Sequence, residues 1–106
     1  MSNWELVGYV SVDSGQLLIT DPCYLKEFNN DNCKDRAEPS YSYSGCCGAT
    51  SNKEGCGQTP NGNFTECGFA LSNCIGDGSY PVYVKRDSDN GITAVKIDFL
   101  KAVYEA

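Results

Sequence analysis

The sequence predicts an all-β fold: a small antiparallel β-sandwich or barrel of five to six strands, with one short helical turn and a long irregular middle. Three observations carry this. Apolar residues recur with a period of two wherever a period can be read. Clusters of Asp, Asn, Ser and Gly separate those runs, with Asn90-Gly91 between the last two. The 106 residues, 41% of them apolar, fit one domain, 1–106, with a modest core.

The first strand places Trp4, Leu6 and Val10 on one face, with Glu5 and Ser11 opposite. Asp13-Ser14-Gly15 supplies a turn, since glycine accepts positive φ. Gln16 to Thr20 then returns as a second strand, which predicts an N-terminal hairpin. In "DPCYLKEF" Asp21 suits an N-cap and Pro22 the first helical position. A helical turn there folds Tyr24, Leu25 and Phe28 back onto the core.

From Asn29 to Gly78 the chain is rich in Asn, Ser and Gly and holds six of its seven cysteines. "YSYSGCCGATS" reads as a strand with its tyrosines on one face, which sends Cys46 and Cys47 to opposite sides. "NKEGCGQTPNGN" reads as an exposed loop. "FTECGFALS" is a better strand, with Phe69 and Leu71 on alternate positions. Tyr80 to Lys85 and Ile92 to Phe99 form the second hairpin around Asp87–Gly91. Its inner face is Val95, Ile97 and Phe99, with Lys96 and Asp98 in water. Pro81 confines its strand to an edge, to the first residues or to a bulge. The expected core is Trp4, Leu6, Leu17, Ile19, Val82, Val84, Val95, Ile97 and Phe99.

Charge and composition narrow the function. There are 14 acidic and 8 basic residues, a net charge of −6. The basic residues are scattered, whereas a phosphate backbone demands clustered Lys and Arg, so nucleic acid is not an expected partner. An acidic chain suits a basic surface on a partner, and its charge also keeps it in solution. No apolar run approaches the ~20 residues that span a bilayer. The N-terminus lacks a basic segment followed by an apolar one, so the expected setting is the cytoplasm, with no membrane partner.

There is no histidine, which removes Cys-His and Ser-His dyads. No cysteines stand at zinc-knuckle spacing, and an odd number without a secretory leader fits a disulfide framework poorly. Free thiols and no cofactor are expected, although cysteines from separate loops leave pairing or a metal site open. Cys23, just inside the helical turn, is the one thiol with a reason for a lowered pKa. The Asp87–Gly91 segment has its glycine one position early for a calcium loop and lies between strands, so it reads as a hairpin. Asn63-Phe64-Thr65 matches a glycosylation sequon, which carries no meaning without secretion.

The stretch "GDGSYPVYV", residues 76–84, is the most specific. Its glycines leave Asp77 exposed at the mouth of a strand. Asp77 either fixes the turn by an Asx-type hydrogen bond or converges with Asp13 or Asp21 on a ligand or cation. In the second reading Tyr24 and Tyr80 wall the pocket.

"DSGQLLITDPCYL", "YSYSGCCGAT", "GDGSYPVYV" and "ITAVKIDF" together resemble a family of short uncharacterised proteins of bacteria and tailed phages. These share a DSGQ…DPCY opening and a GDG-YPVY close, similar to a larger domain-of-unknown-function group. Between residues 28 and 73 only the YSGCCGAT stretch carries the likeness. The resemblance implies a β-rich fold and a cytoplasmic phage or bacterial setting, and it transfers no catalytic residues.

Two functional expectations follow. The first is a non-enzymatic binding module that inhibits or sequesters a host protein or a small molecule. The second is a small carboxylate- or metal-dependent hydrolase, or a ligand-binding protein, using Asp13, Asp21 and Asp77.

Overall fold

In a computed structural model, the structure describes residues 3–32, 37–73 and 75–101. Six strands lie among them: β1 (Glu5–Val12), β2 (Gln16–Thr20), β3 (Cys56–Gln58), β4 (Gly68–Ser72), β5 (Gly78–Arg86) and β6 (Ile92–Ile97). One α-helix, α1 (Tyr43–Ala49), and two 3-10 turns, Pro22–Glu27 and Phe99–Lys101, complete the described elements. The strands make two antiparallel sheets of three, β1-β5-β6 and β2-β4-β3, and neither closes into a barrel. Among the described residues no helix is long and apolar enough to cross a membrane.

The chain's contacts gather into two compact units, residues 1–15 with 74–106, and residues 16–73. The first contains the sheet β1-β5-β6. Its hairpin β5–β6 is the one that Asn90-Gly91 predicts, with Asn90 at φ 68°. Asp87 closes the turn, its Oδ1 accepting from the amides of Asp89 and Gly91 at 2.9 Å each. Pro81 sits within the central strand, opposite Tyr9 of β1. Its carbonyl accepts from Asp98 N at 3.3 Å, beyond the last β6 pair, Ile97↔Val82. The nitrogen of an extended residue points the same way as its carbonyl, so the missing N–H removes no bond to β1.

The expected N-terminal hairpin is not formed: β1 pairs with β5 and β2 with β4. Gly15 does take positive φ, 73°, but its turn leads from one sheet to the other. The β1 register also shifts between Leu6 and Gly8. Leu6, Tyr9 and Ser11 thus share the face of Tyr83, Pro81 and Ser79, whereas Val10 and Val12 share that of Tyr80 and Gly78. A bulge beside a strand glycine breaks strict alternation. It separates Trp4 and Leu6 from Val10, and both are exposed. The core of this unit is Val12, Tyr80 and Val84. Val82, Ile97 and Phe99 are half-buried, and Val95, expected inside, is 61% exposed.

In the second unit Leu18, Ala70 and Gly57 stand in register across β2-β4-β3. Ala70 packs with Cys46 and Ala49 of α1, and Leu18 and Phe28 close over this cluster. The phase of β2 is therefore one residue from the expected one. Gln16, Leu18 and Thr20 form the inner row, while Ile19 is 54% exposed and Leu17 only half-buried. Two polar residues on the inner row disguise it. Gln16 accepts from Thr50 Oγ1 at 3.3 Å, and Thr20 Oγ1 shares a 2.9 Å hydrogen bond with Tyr41 Oη and donates to Cys67 O at 3.0 Å.

The segment expected as a strand at "YSYSGCCGATS" is α1. Glycines are poor helix formers, but tertiary contacts and capping outweigh that here. Ser42 Oγ accepts from Gly45 N at 2.8 Å, and Asp31 accepts from Ser44 N at 2.8 Å and Ser44 Oγ at 2.7 Å. Gly45 and Gly48 let the preceding segment lie against the helix. The expected loop "NKEGCGQTPNGN" contains β3 and the fully buried Thr59. Cys23, Cys46, Cys56 and Cys67 are free thiols, as expected, but Cys47 is disulfide-bonded. Cys33 and Cys74 lie outside the described residues.

Candidate functional site

The second sheet turns Ile19, Phe69 and Gln58 outward in register. At the end of β2 the chain enters the 3-10 turn as the sequence predicts, with Pro22 first and Asp21 as N-cap. One carboxylate oxygen of Asp21 accepts from Cys23 N at 2.9 Å. The turn sets Tyr24 half-buried, its ring edge-on to Phe64 at 5.1 Å between centroids. Between this turn and the outer face of the sheet lies an open cavity of about 310 Å³, lined by Ile19, Thr20, Asp21, Tyr24, Gln58, Glu66, Cys67, Gly68 and Phe69.

The cavity has apolar walls, two carboxylates and no basic lining residue. Its thiol is a poor nucleophile. Burial, with the Glu27 carboxylate nearby, holds the Cys67 pKa above the ordinary value. What the lining offers is an apolar slot with negative charge at its rim, the chemistry that accepts a cationic head on an apolar stem.

Asp21 and Tyr24 are the two expected site residues that this cavity contains. Asp13 is exposed in the turn after β1. Asp77 is exposed and fixes that same turn, its Oδ1 accepting from Gly15 N at 3.0 Å. Tyr80 is no pocket wall: it is fully buried, donates its hydroxyl proton to Gly76 O and packs edge-on to Phe99 at 5.1 Å. Among the described residues no three Cys, Asp or Glu side chains are grouped to hold a metal ion. Ile19, Gln58, Glu66 and Phe69 enter the site unannounced. Only the true phase of β2, hidden by Gln16 and Thr20, turns Ile19 outward to meet Phe69.

No protein-family model, curated protein or solved structure matches the chain.

Proposed function

We propose that this chain is a non-enzymatic binding module that captures a basic side chain of a partner protein, and by occupying that surface inhibits or sequesters the partner. The observation that carries this reading is the cavity between the Pro22–Glu27 turn and the outer face of β2-β4-β3. Ile19, Phe69 and Tyr24 suit the methylenes of a lysine or arginine, and Asp21 and Glu66 suit its charged head. The acidic balance of the chain steers it toward basic surfaces. The phage or bacterial setting implied by the sequence resemblance is one in which a small inhibitor of a host factor has a use. The hydrolase reading lacks support in the geometry, because Asp13 and Asp77 belong to the turn around Gly15 and burial raises the pKa of the cavity thiol.

The test is a titration of isotopically labelled protein with Nα-acetyl-arginine amide and Nα-acetyl-lysine amide, with the norleucine amide as the neutral control. Amide shifts at Ile19, Asp21, Tyr24 and Phe69 with the cationic ligands are expected, and Glu66→Gln weakens them. Equal shifts with norleucine, or none at millimolar ligand, would sink the proposal.

A further inference from the structure

The sheet β1-β5-β6 gathers charge that the linear sequence scatters. Leu6, Tyr83 and Lys96 stand side by side across its three strands, Tyr9 lies beside Pro81, and Lys85 beside Ala94. Odd positions of β5 share one face, so these residues form a single surface. Lys85 Nζ lies 4.7 Å from the centroid of the Trp4 ring. Lys96 Nζ lies 4.9 Å from Trp4 and 4.8 Å from Tyr83, and Lys101 Nζ lies 5.9 Å from Tyr83. The two ammonium groups on Trp4 are therefore within roughly 10 Å of each other, about one Debye length at moderate salt. The paired positions on this face carry no carboxylate, but Asp98, two residues after Lys96, stands on it beside Pro81, so three lysines share the face with that one acid. Trp4 is 37%, Leu6 49% and Tyr9 57% exposed.

Ring quadrupoles hold the ammonium groups, and because the Asp98 carboxylate caps the Phe99–Lys101 turn through Leu100 N at 3.0 Å, the face keeps an excess of positive charge. The missing component is an anion. A nucleic acid strand is the poorer fit: the faces of Trp4 and Tyr83 carry lysines instead of standing open to bases, and the chain's net charge of −6 repels a polyphosphate. The exposed Leu6 and Tyr9 ask for apolar side chains. We infer that this face docks an acidic segment of a partner protein in which carboxylates alternate with apolar residues. The carboxylates meet Lys85, Lys96 and Lys101, and the apolar residues cover Leu6 and Tyr9. This surface is separate in chemistry from the acid-rimmed cavity and does not depend on it.

Trp4 is the chain's one tryptophan, so its emission reports on the proposed face without a label. The probe is a short peptide alternating glutamate and leucine, with the glutamine–leucine counterpart and an oligothymidylate of equal length as comparisons. Saturable change in Trp4 emission with the glutamate peptide is expected, weakening as salt rises. Lys96→Gln and Lys101→Gln should each lower affinity about tenfold, the loss of one charge-assisted pair. Isothermal calorimetry repeats the measurement for Lys96→Gln, whose baseline emission differs, and the melting temperature checks that each variant is folded. The inference is overturned by no response to the glutamate peptide, by equal binding of the glutamine peptide, or by unchanged affinity in both folded lysine variants. Preferential binding of the oligothymidylate overturns it too, and makes the face a nucleic-acid surface.

Discussion

Gly48→Ala sets two effects of opposite sign against each other in α1. Alanine favours a helix over glycine by about 1 kcal/mol at an ordinary interior position. Here the added Cβ would lie 2.9 Å from the Ala37 carbonyl carbon, closer still to its oxygen, and 3.3 Å from the Glu38 carbonyl carbon. These are backbone atoms, so no change of rotamer relieves the clash. Overpacking of this kind costs about 1–3 kcal/mol, and the upper end applies where a chain segment must move. The expected net result is a loss of about 2 kcal/mol, a large share of the ~5–15 kcal/mol that a small domain has. Urea unfolding followed by circular dichroism should show a lower midpoint at unchanged slope. Gly8→Ala is the control: its Cβ meets nothing within 4 Å, so it should be neutral or slightly stabilising. A Gly48→Ala protein more stable than the parent would refute the close approach of the 37–40 segment to the helix.

Tyr80→Phe removes the donor to Gly76 O from a fully buried ring. It should lower stability by about 1 kcal/mol, and no change in the urea midpoint would show that the hydroxyl makes no net contribution. Asp31 is held below its ordinary value of 3.8, first by the Ser44 amide and then by the Ser44 hydroxyl. Its folded pKa lies below its unfolded one, so its contribution is complete above the unfolded value and lost as pH falls through the folded one. Asp31→Asn should therefore flatten the acid limb of a urea-midpoint profile, and parallel profiles would contradict this. Burial, with Asp31 adding to it, pushes the Cys46 thiol up to about 11. Native protein treated with iodoacetamide at about pH 8 should be labelled at exposed Cys23 and spared at Cys46 until urea is added. Mass spectrometry of the peptides decides that, and early labelling of Cys46 would place it outside the core.

Local signals are legible in the sequence where local physics decides the outcome. Asn90-Gly91 sets a hairpin because the turn itself needs positive φ, and Asp21-Pro22 starts a 3-10 turn because cap and ring act on adjacent atoms. The partners of β1 and β2 are set by burial instead. Asp13-Ser14-Gly15 makes the same bend whether the next strand pairs with the last or leaves for another sheet. Alternation gives the wrong phase where polar residues lie inside. Gln16 and Thr20 satisfy their hydrogen-bonding groups within the unit, so their inner row reads as the outer one. In α1 the pattern of tyrosines and small residues agrees with a strand. The helix forms because Ser42 and Asp31 satisfy its first amides and because Cys46 and Ala49 reach Ala70 from successive turns.

The same distinction governs the two surfaces. Asp21 and Tyr24 are recognisable in the sequence because a cap and its following turn are local. Their companions Ile19, Glu66 and Phe69 come from other strands and loops, and only strand pairing assembles them. Net charge is less informative still. A total of −6 with scattered lysines argues against an anion site only if side chains distant in sequence stay distant in space. Antiparallel pairing brings Lys96 of β6 beside Tyr83 of β5, and the bulge in β1 leaves Trp4 beside Lys85 and Lys96. A strictly regular β1 would place Trp4 on the opposite face, away from Lys85 and Lys96. The bulge beside Gly8 thus does more than shift a register: it decides which side of the sheet carries the aromatic anchor. A small acidic chain acquires in this way a cationic face that its composition conceals.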